Sequence, residues 1–175
     1  MINVEGKGEV ECVGVQNIIN GYKKGKETRP ISVRFIGNIE DPANMPKGDL
    51  MVDGAVAGMT IEGIGSDTVF NGFGLVLKNC SNVEVRNIGF MNCNSEEGDD
   101  VGLQQGDDHC WVHNCDFFYG DAGTDADQVK GDGALDTKKS HYITHSYNHF
   151  WDNGKCNLQG CLLYTSPSPR DSTSS

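Results

Sequence analysis

The chain has 175 residues, a formal net charge of −11, 37% apolar residues and a mean hydropathy of −0.45. That length is enough for one domain with a core, and no apolar run reaches the length of a membrane helix. The acidic balance excludes a nucleic-acid binder, which needs clustered Lys and Arg to neutralise phosphates. A polyanion could still be handled through an intervening cation.

Glycine is abundant at 23 residues and proline sparse at 5, which suits tight turns between short strands better than a helical bundle. The opening MINVEGKGEVECVG has no basic-then-apolar leader pattern, so nothing about export is read from it. Val15, Ile18, Ile19 and Tyr22 share a helical face, and Lys23, Lys24 and Lys26 follow. This spacing predicts one short amphipathic helix with cations near its C-terminal end. ISVRFIGNI comes next, and its alternation of Ile31, Val33 and Phe35 predicts a strand.

From about residue 50 the chain becomes a series of short β runs punctuated by Gly, Asn and Asp. NVEVRNIGF (82–90), HCWVHNCDFF (109–118) and YITHSYNHF (142–150) each alternate apolar and polar residues and place an Asn just before a Phe. GMTIEGIG (58–65) is a weaker copy. Repeats of strands that cannot bury their apolar faces alone predict a stacked array. The economical form is an all-β, right-handed, single-stranded parallel β-helix, with an antiparallel sandwich as the alternative. Phe90, Phe117 and Phe150 would then stack inside or just outside a turn. Asn87, Asn114 and Asn148 would sit near corresponding turns, where Asn tolerates left-handed backbone and its amide can bond the next coil. The segment 161–175, CLLYTSPSPRDSTSS, breaks the pattern. Its Ser/Thr/Pro composition predicts a disordered tail, and it looks like a foreign addition to a domain spanning 1–160.

Seven cysteines, Cys12, Cys80, Cys93, Cys110, Cys115, Cys156 and Cys161, form no C-x-x-C pair. Zinc-ribbon chemistry is unsupported, buried free thiols are expected for most of them, and one or two disulfides are left open. Carboxylates are denser than anything else. Asp99 and Asp100 end the loop NSEEGDD, Asp107 and Asp108 open the next strand, and Asp121, Asp125, Asp127, Asp132 and Asp136 follow. Such crowding is either a solvated acidic loop or a cation site, for which Ca2+ with six to eight oxygen ligands is the natural occupant. Asp132 and Asp136, an even spacing apart, would share one face of an extended strand. Lys155, one coil edge beyond, is by itself an ordinary surface charge. His109, His113, His141, His145 and His149 show no metal-binding spacing and are expected to face outward.

At GDGALDTKKSHYITHSYNHFWDNGKCNLQG (131–160) the sequence resembles the pectate lyase family, polysaccharide lyases with a parallel β-helix. The combination of D-G-x-L-D-x-K with S-Y-N-x-F and a following Lys carries the resemblance. It extends upstream through IEGIGSDTVFNGFGLVLKNCSNVEVRNIGF, Asp100 and WVHNCDFF to cover most of 30–160. The resemblance implies that the opening helix caps the β-helix, that Asp100, Asp132 and Asp136 bind Ca2+, with Asp99 able to assist or replace Asp100, and that Lys155 contacts a substrate carboxylate. It implies calcium-dependent β-elimination of α-1,4-polygalacturonate by a secreted monomer that needs neither nucleic acid nor membrane. Two departures stand out. His113 and Asn114 occupy the place of the family's Asp-His pair. The family's catalytic base is an arginine on a later coil, whereas Arg29, Arg34 and Arg86 precede the calcium loops and Arg170 lies in the tail. No base can be assigned, so the chain is expected to be a C-terminally truncated, weakly active and marginally stable lyase fragment. Competing readings are a non-catalytic polysaccharide-binding or adhesin solenoid, a polygalacturonase working with paired carboxylates and water, and a calcium-free pectin lyase. The G-H-G and R-x-K strings of polygalacturonases are absent, and pectin lyases lack the Asp set.

Overall fold

The structure, a computed structural model, describes residues 2–4, 8–10, 14–118, 133–161 and 164–165. Strands β1 (Ile2–Val4) and β2 (Gly8–Val10) form an antiparallel pair. Helix α1 (Val15–Asn20) follows, buries Ile19 and half-buries Val15, Ile18 and Tyr22, as the spacing predicts. It is shorter than the pattern suggests. Lys23 and Lys24 fall in a separate 3-10 turn, Lys23–Gly25, in which Lys24 takes a φ of 57° and breaks the helix.

The remaining strands wind through five coils, each visiting three sheets in turn. The first coil holds β3 (Ile31–Glu40) and β4 (Leu50–Asp53), and the second β5 (Met59–Asn71) and β6 (Leu75–Lys78). The third holds β7 (Val83–Arg86), β8 (Gly89–Met91) and β9 (Val101–Gln104). The fourth holds β10 (Asp108–His113), β11 (Asp116–Phe118) and β12 (Leu135–Lys138). The fifth holds β13 (His141–Ser146), β14 (His149–Trp151) and β15 (Asn157–Cys161), with β16 (Tyr164–Thr165) antiparallel to β15. Every pairing between successive coils is parallel. The bent strands β3 and β5 each serve two sheets: β5 pairs with β7 through Met59–Glu62 and with β8 through Val69–Asn71. This is a parallel β-helix.

The proposed repeats are its coils. Phe90, Phe117 and Phe150 are paired in register, and Phe35, Phe70 and Phe73 join them in a column of rings inside the coils. Phe90 and Phe117 stack at 5.3 Å, and Phe117 and Phe150 at 4.9 Å. Leu50, Leu75, Val101 and Leu135, also in register, close the core beneath the third sheet.

Asn87 and Asn114 turn with positive φ, as expected, whereas in the fifth coil Tyr147 takes that position. Asn148 instead turns its amide to the fourth coil, accepting from the Cys115 N–H and donating to the Val112 carbonyl. Cys80, Cys93, Cys110 and Cys115 are buried free thiols. Two histidines depart from the expected outward, solvent-facing placement, His113 being buried beneath Trp111. His145 pairs with buried Val112 and turns inward, between Thr137 and Asn157, where burial lowers its pKa.

Candidate metal centre

The third sheet carries the chemistry. At its entrance the coils stack in register, so that the residues just before β4, β6, β9 and β12 lie one above another. They are Asp49, Gly74, Asp100 and Ala134. The backbone runs between coils here: Leu75 N–H donates to the Asp100 carbonyl, Asp100 N–H to Gly133, and Ala134 N–H to Lys155. Sequence-distant residues are thereby brought to one corner.

Asp99 and Asp136 meet at that corner. Both are buried. One oxygen of each is committed to backbone: Asp99 Oδ1 accepts from Gly133 N–H at 3.0 Å, and Asp136 Oδ1 accepts from Leu158 N–H at 3.0 Å. The other oxygens converge on one ammonium, with Lys138 Nζ 3.3 Å from Asp99 Oδ2 and 3.6 Å from Asp136 Oδ2. Burial first, then the Asp136 charge, push the Asp99 carboxyl up to about 6. Gly133 makes the approach possible, since a Cβ there would lie only 2.4 Å from Asp136 Oδ1.

Asp100 is buried beside this pair. Burial, then Asp99 and Asp49, hold its pKa well above the usual carboxylate value. Asp49 is itself inaccessible, accepts the Gly74 N–H at 2.9 Å, and has its pKa raised mainly by burial. Lys155 is exposed on the fifth coil next to Ala134. Asp132, Asp121, Asp125 and Asp127 lie outside the described residues. Among the described residues no three His, Cys, Asp or Glu side chains form a complete metal cage.

The structure thus juxtaposes Asp99 and Asp136 at the Lys138 ammonium, buries Asp100 next in the chain to Asp99, and sets Lys155 one coil away. The chemistry of the donors fits a hard divalent cation such as calcium: oxygen atoms only, excess negative charge, and backbone N–H groups that fix the Asp99 and Asp136 carboxylates. Sequence reasoning passed over Lys138, although its spacing from Asp136 places both on the outer face of β12. It also passed over Asp49, for which the sequence offers no signal because its partners come from other coils.

Other candidate groups have structural work. Asp107 accepts from the backbone N–H groups of Cys80 and Gln104, and burial raises its pKa to about 6. His113 lies between Glu84, at 2.9 Å from Nε2, and Asn114, at 2.7 Å from Nδ1, beneath the ring of Trp111. The Asn114 amide therefore supplies a partner where the resemblance would place a different pair.

A pectate lyase family model matches residues 50–168. Pectate lyase A of Emericella nidulans is 35% identical over 102 residues, covering 58% of this chain and 30% of that protein. The probable pectate lyase A of Aspergillus fumigatus matches to the same extent. The chain therefore spans about 30% of the length of these curated relatives. Among solved structures, a pectate lyase from Bacillus sp. N165 in complex with trigalacturonate superposes with a TM-score of 0.70 at 21% identity, over 87% of this chain and 48% of that one. Pectate lyase II of Xanthomonas campestris gives a TM-score of 0.59 at 19% identity, over 85% and 54%. These two share the fold. With the family match covering most of its coils, this chain belongs to the pectate lyase family.

Proposed function

We propose that this chain carries the metal-binding corner of a calcium-dependent enzyme that cleaves α-1,4-linked polygalacturonate by β-elimination. The observation that supports it best is the buried Asp99–Asp136 pair, each carboxylate fixed by a backbone N–H and turned to a shared position. The Bacillus relative bound to trigalacturonate agrees with an acidic galacturonan as the substrate.

In this reaction a proton leaves the carbon next to the sugar carboxylate, and its electron pair becomes a carbon–carbon double bond. The glycosidic carbon–oxygen bond breaks, and the departing oxygen takes a proton. Asp136 with Asp99, Asp100 and Asp132 would hold calcium, which supplies charge neutralisation at the sugar carboxylate and acidifies the neighbouring C–H. Lys155, exposed one coil on, would bind the same carboxylate and stabilise charge that develops on it. Without a cation the acidic corner repels the polymer, which makes binding metal-dependent.

No base is assigned. Arg29 pairs with Glu27, while Arg34 and Arg86 flank Glu62 on the first sheet; Arg170 lies outside the described residues. The chain is therefore expected to bind polygalacturonate with calcium and to turn it over weakly. It would act outside the cell, as a monomer. Titration of polygalacturonate into the chain tests this. Binding that appears with calcium, disappears with chelator and is lost in Asp136→Asn supports the reading. Equal binding with and without calcium favours a non-catalytic polysaccharide-binding module, and rapid release of unsaturated products, seen by ultraviolet absorbance, would overturn the expectation of weak turnover.

A further inference from the structure

Lys138 sits where the two turned carboxylate oxygens meet. Its stem leaves β12 on the same face as Asp136, and its ammonium lies 3.3 Å from Asp99 Oδ2 and 3.6 Å from Asp136 Oδ2. The Oδ1 atoms are held by backbone N–H groups, so these Oδ2 atoms are the ones each carboxylate turns toward a cation. Calcium takes its oxygens at about 2.3–2.6 Å. An ammonium and a calcium ion cannot both occupy this position. Lys138 is 39% exposed, whereas the two carboxylates are almost fully enclosed, and a lysine stem is flexible enough to swing its charge into water.

We propose that Lys138 is the resident counter-cation of this corner and sets its selectivity for divalent ions; the inference rests on the calcium reading above. The ammonium brings one positive charge to the two carboxylates. A sodium or potassium ion replacing Lys138 exchanges one positive charge for another and adds the cost of its own dehydration. A divalent ion adds a second charge, neutralises the pair, and releases the lysine to solvent. The same lysine thus holds two buried carboxylates together in the metal-free protein and discourages monovalent ions from entering.

The test uses the full chain and Lys138→Met, which keeps the stem and removes the charge, with Lys138→Arg as a charge-retaining control. Calcium and sodium binding are measured by titration calorimetry, and melting is followed in chelator and in saturating calcium. The expected result is calcium affinity about tenfold higher in Lys138→Met, the order of effect of one unit charge in a partly screened site. Stronger sodium competition and a lower melting temperature in chelator should accompany it, with the melting deficit closing in calcium. Lys138→Arg should remain near wild type. Mass-spectrometric amine labelling of the unmodified chain provides an independent measure, with Lys138 labelled faster when calcium is present. Equal calcium affinity in wild type and Lys138→Met, or labelling that ignores calcium, overturns the role of Lys138 alone. Failure of both proteins to bind calcium overturns the calcium reading and this inference with it.

Discussion

Gly133 shows how closely one atom can be tied to the chemistry. A methyl group there would meet the Asp136 carboxylate at 2.4–2.8 Å, and that carboxylate is short and already anchored by Leu158 N–H. Gly133→Ala must displace Asp136 rather than a soft side-chain end. Overpacking of this kind costs roughly 1–3 kcal/mol, so calcium affinity is expected to fall about tenfold or more while the fold persists. Calorimetric titration beside a melting curve separates the two. Gln16 is a second residue with a definite task. It is buried, its amide donates to the Met51 carbonyl, and it accepts from the Met51 N–H, each at 2.8 Å. Its side chain thus takes the place of a neighbouring strand beside β4. Gln16→Ala strands both backbone groups of Met51 and should cost about 1–3 kcal/mol in chemical denaturation.

At the level of the element, one coil stacks on the next through two devices. The first is the ring column. Phe90 lies between Phe70 and Phe117, with ring centroids 5.3 Å from each, and is fully buried. Phe90→Ala should cost about 3–5 kcal/mol, because the fixed backbone of adjacent coils cannot collapse onto the void. Equilibrium unfolding in urea measures it. The second is the asparagine turn. Asn87 adopts a φ of 54° and its amide donates to the Gly63 and Gly65 carbonyls on the preceding coil. Asn87→Gly keeps the backbone conformation and loses the bonds, while Asn87→Ala loses both. The alanine variant should be the less stable by about 1 kcal/mol.

Across the whole molecule, a charge ladder ties the coils together on the face of the first sheet. Glu62 on the second coil accepts from Arg34 on the first and Arg86 on the third. The Arg86 guanidinium, then Arg34 and Ser32, hold the Glu62 carboxyl down to about 2, from an ordinary 4.5. The unfolded chain therefore takes up this proton more readily than the folded one. The stabilisation is complete above pH 4.5 and is lost as pH falls toward 2. Thermal melts across that range should show a steeper loss for wild type than for Glu62→Gln. Stability is also uneven along the axis. The second to fourth coils bury most of their apolar residues and expose Ile64 and Trp111, whereas the fifth leaves Tyr142, Tyr147, Trp151 and Leu158 exposed. Hydrogen exchange should accordingly be faster in β13–β15 than in β7–β12.

The repeating strands, their Phe positions and two of the asparagine turns were legible from residue order, because a stacked coil imposes its period directly on the chain. Burial of the Cys80, Cys93, Cys110 and Cys115 thiols followed from their chemistry in the same way, whereas Cys156 is exposed. What residue order could not carry was orientation at the corner of the coils. Asp99 and Asp136 are far apart in the chain, yet both reach the Lys138 ammonium, and His145 turns inward between Thr137 and Asn157. Those choices depend on which backbone N–H from another coil lies within reach, and on the absence of a side chain at Gly74 and Gly133. The sequence by itself determined that coils would form and that acids would gather at their edge; only the register between coils decided which carboxylates meet at the Lys138 ammonium, since that pairing joins residues separated by an entire turn of the helix.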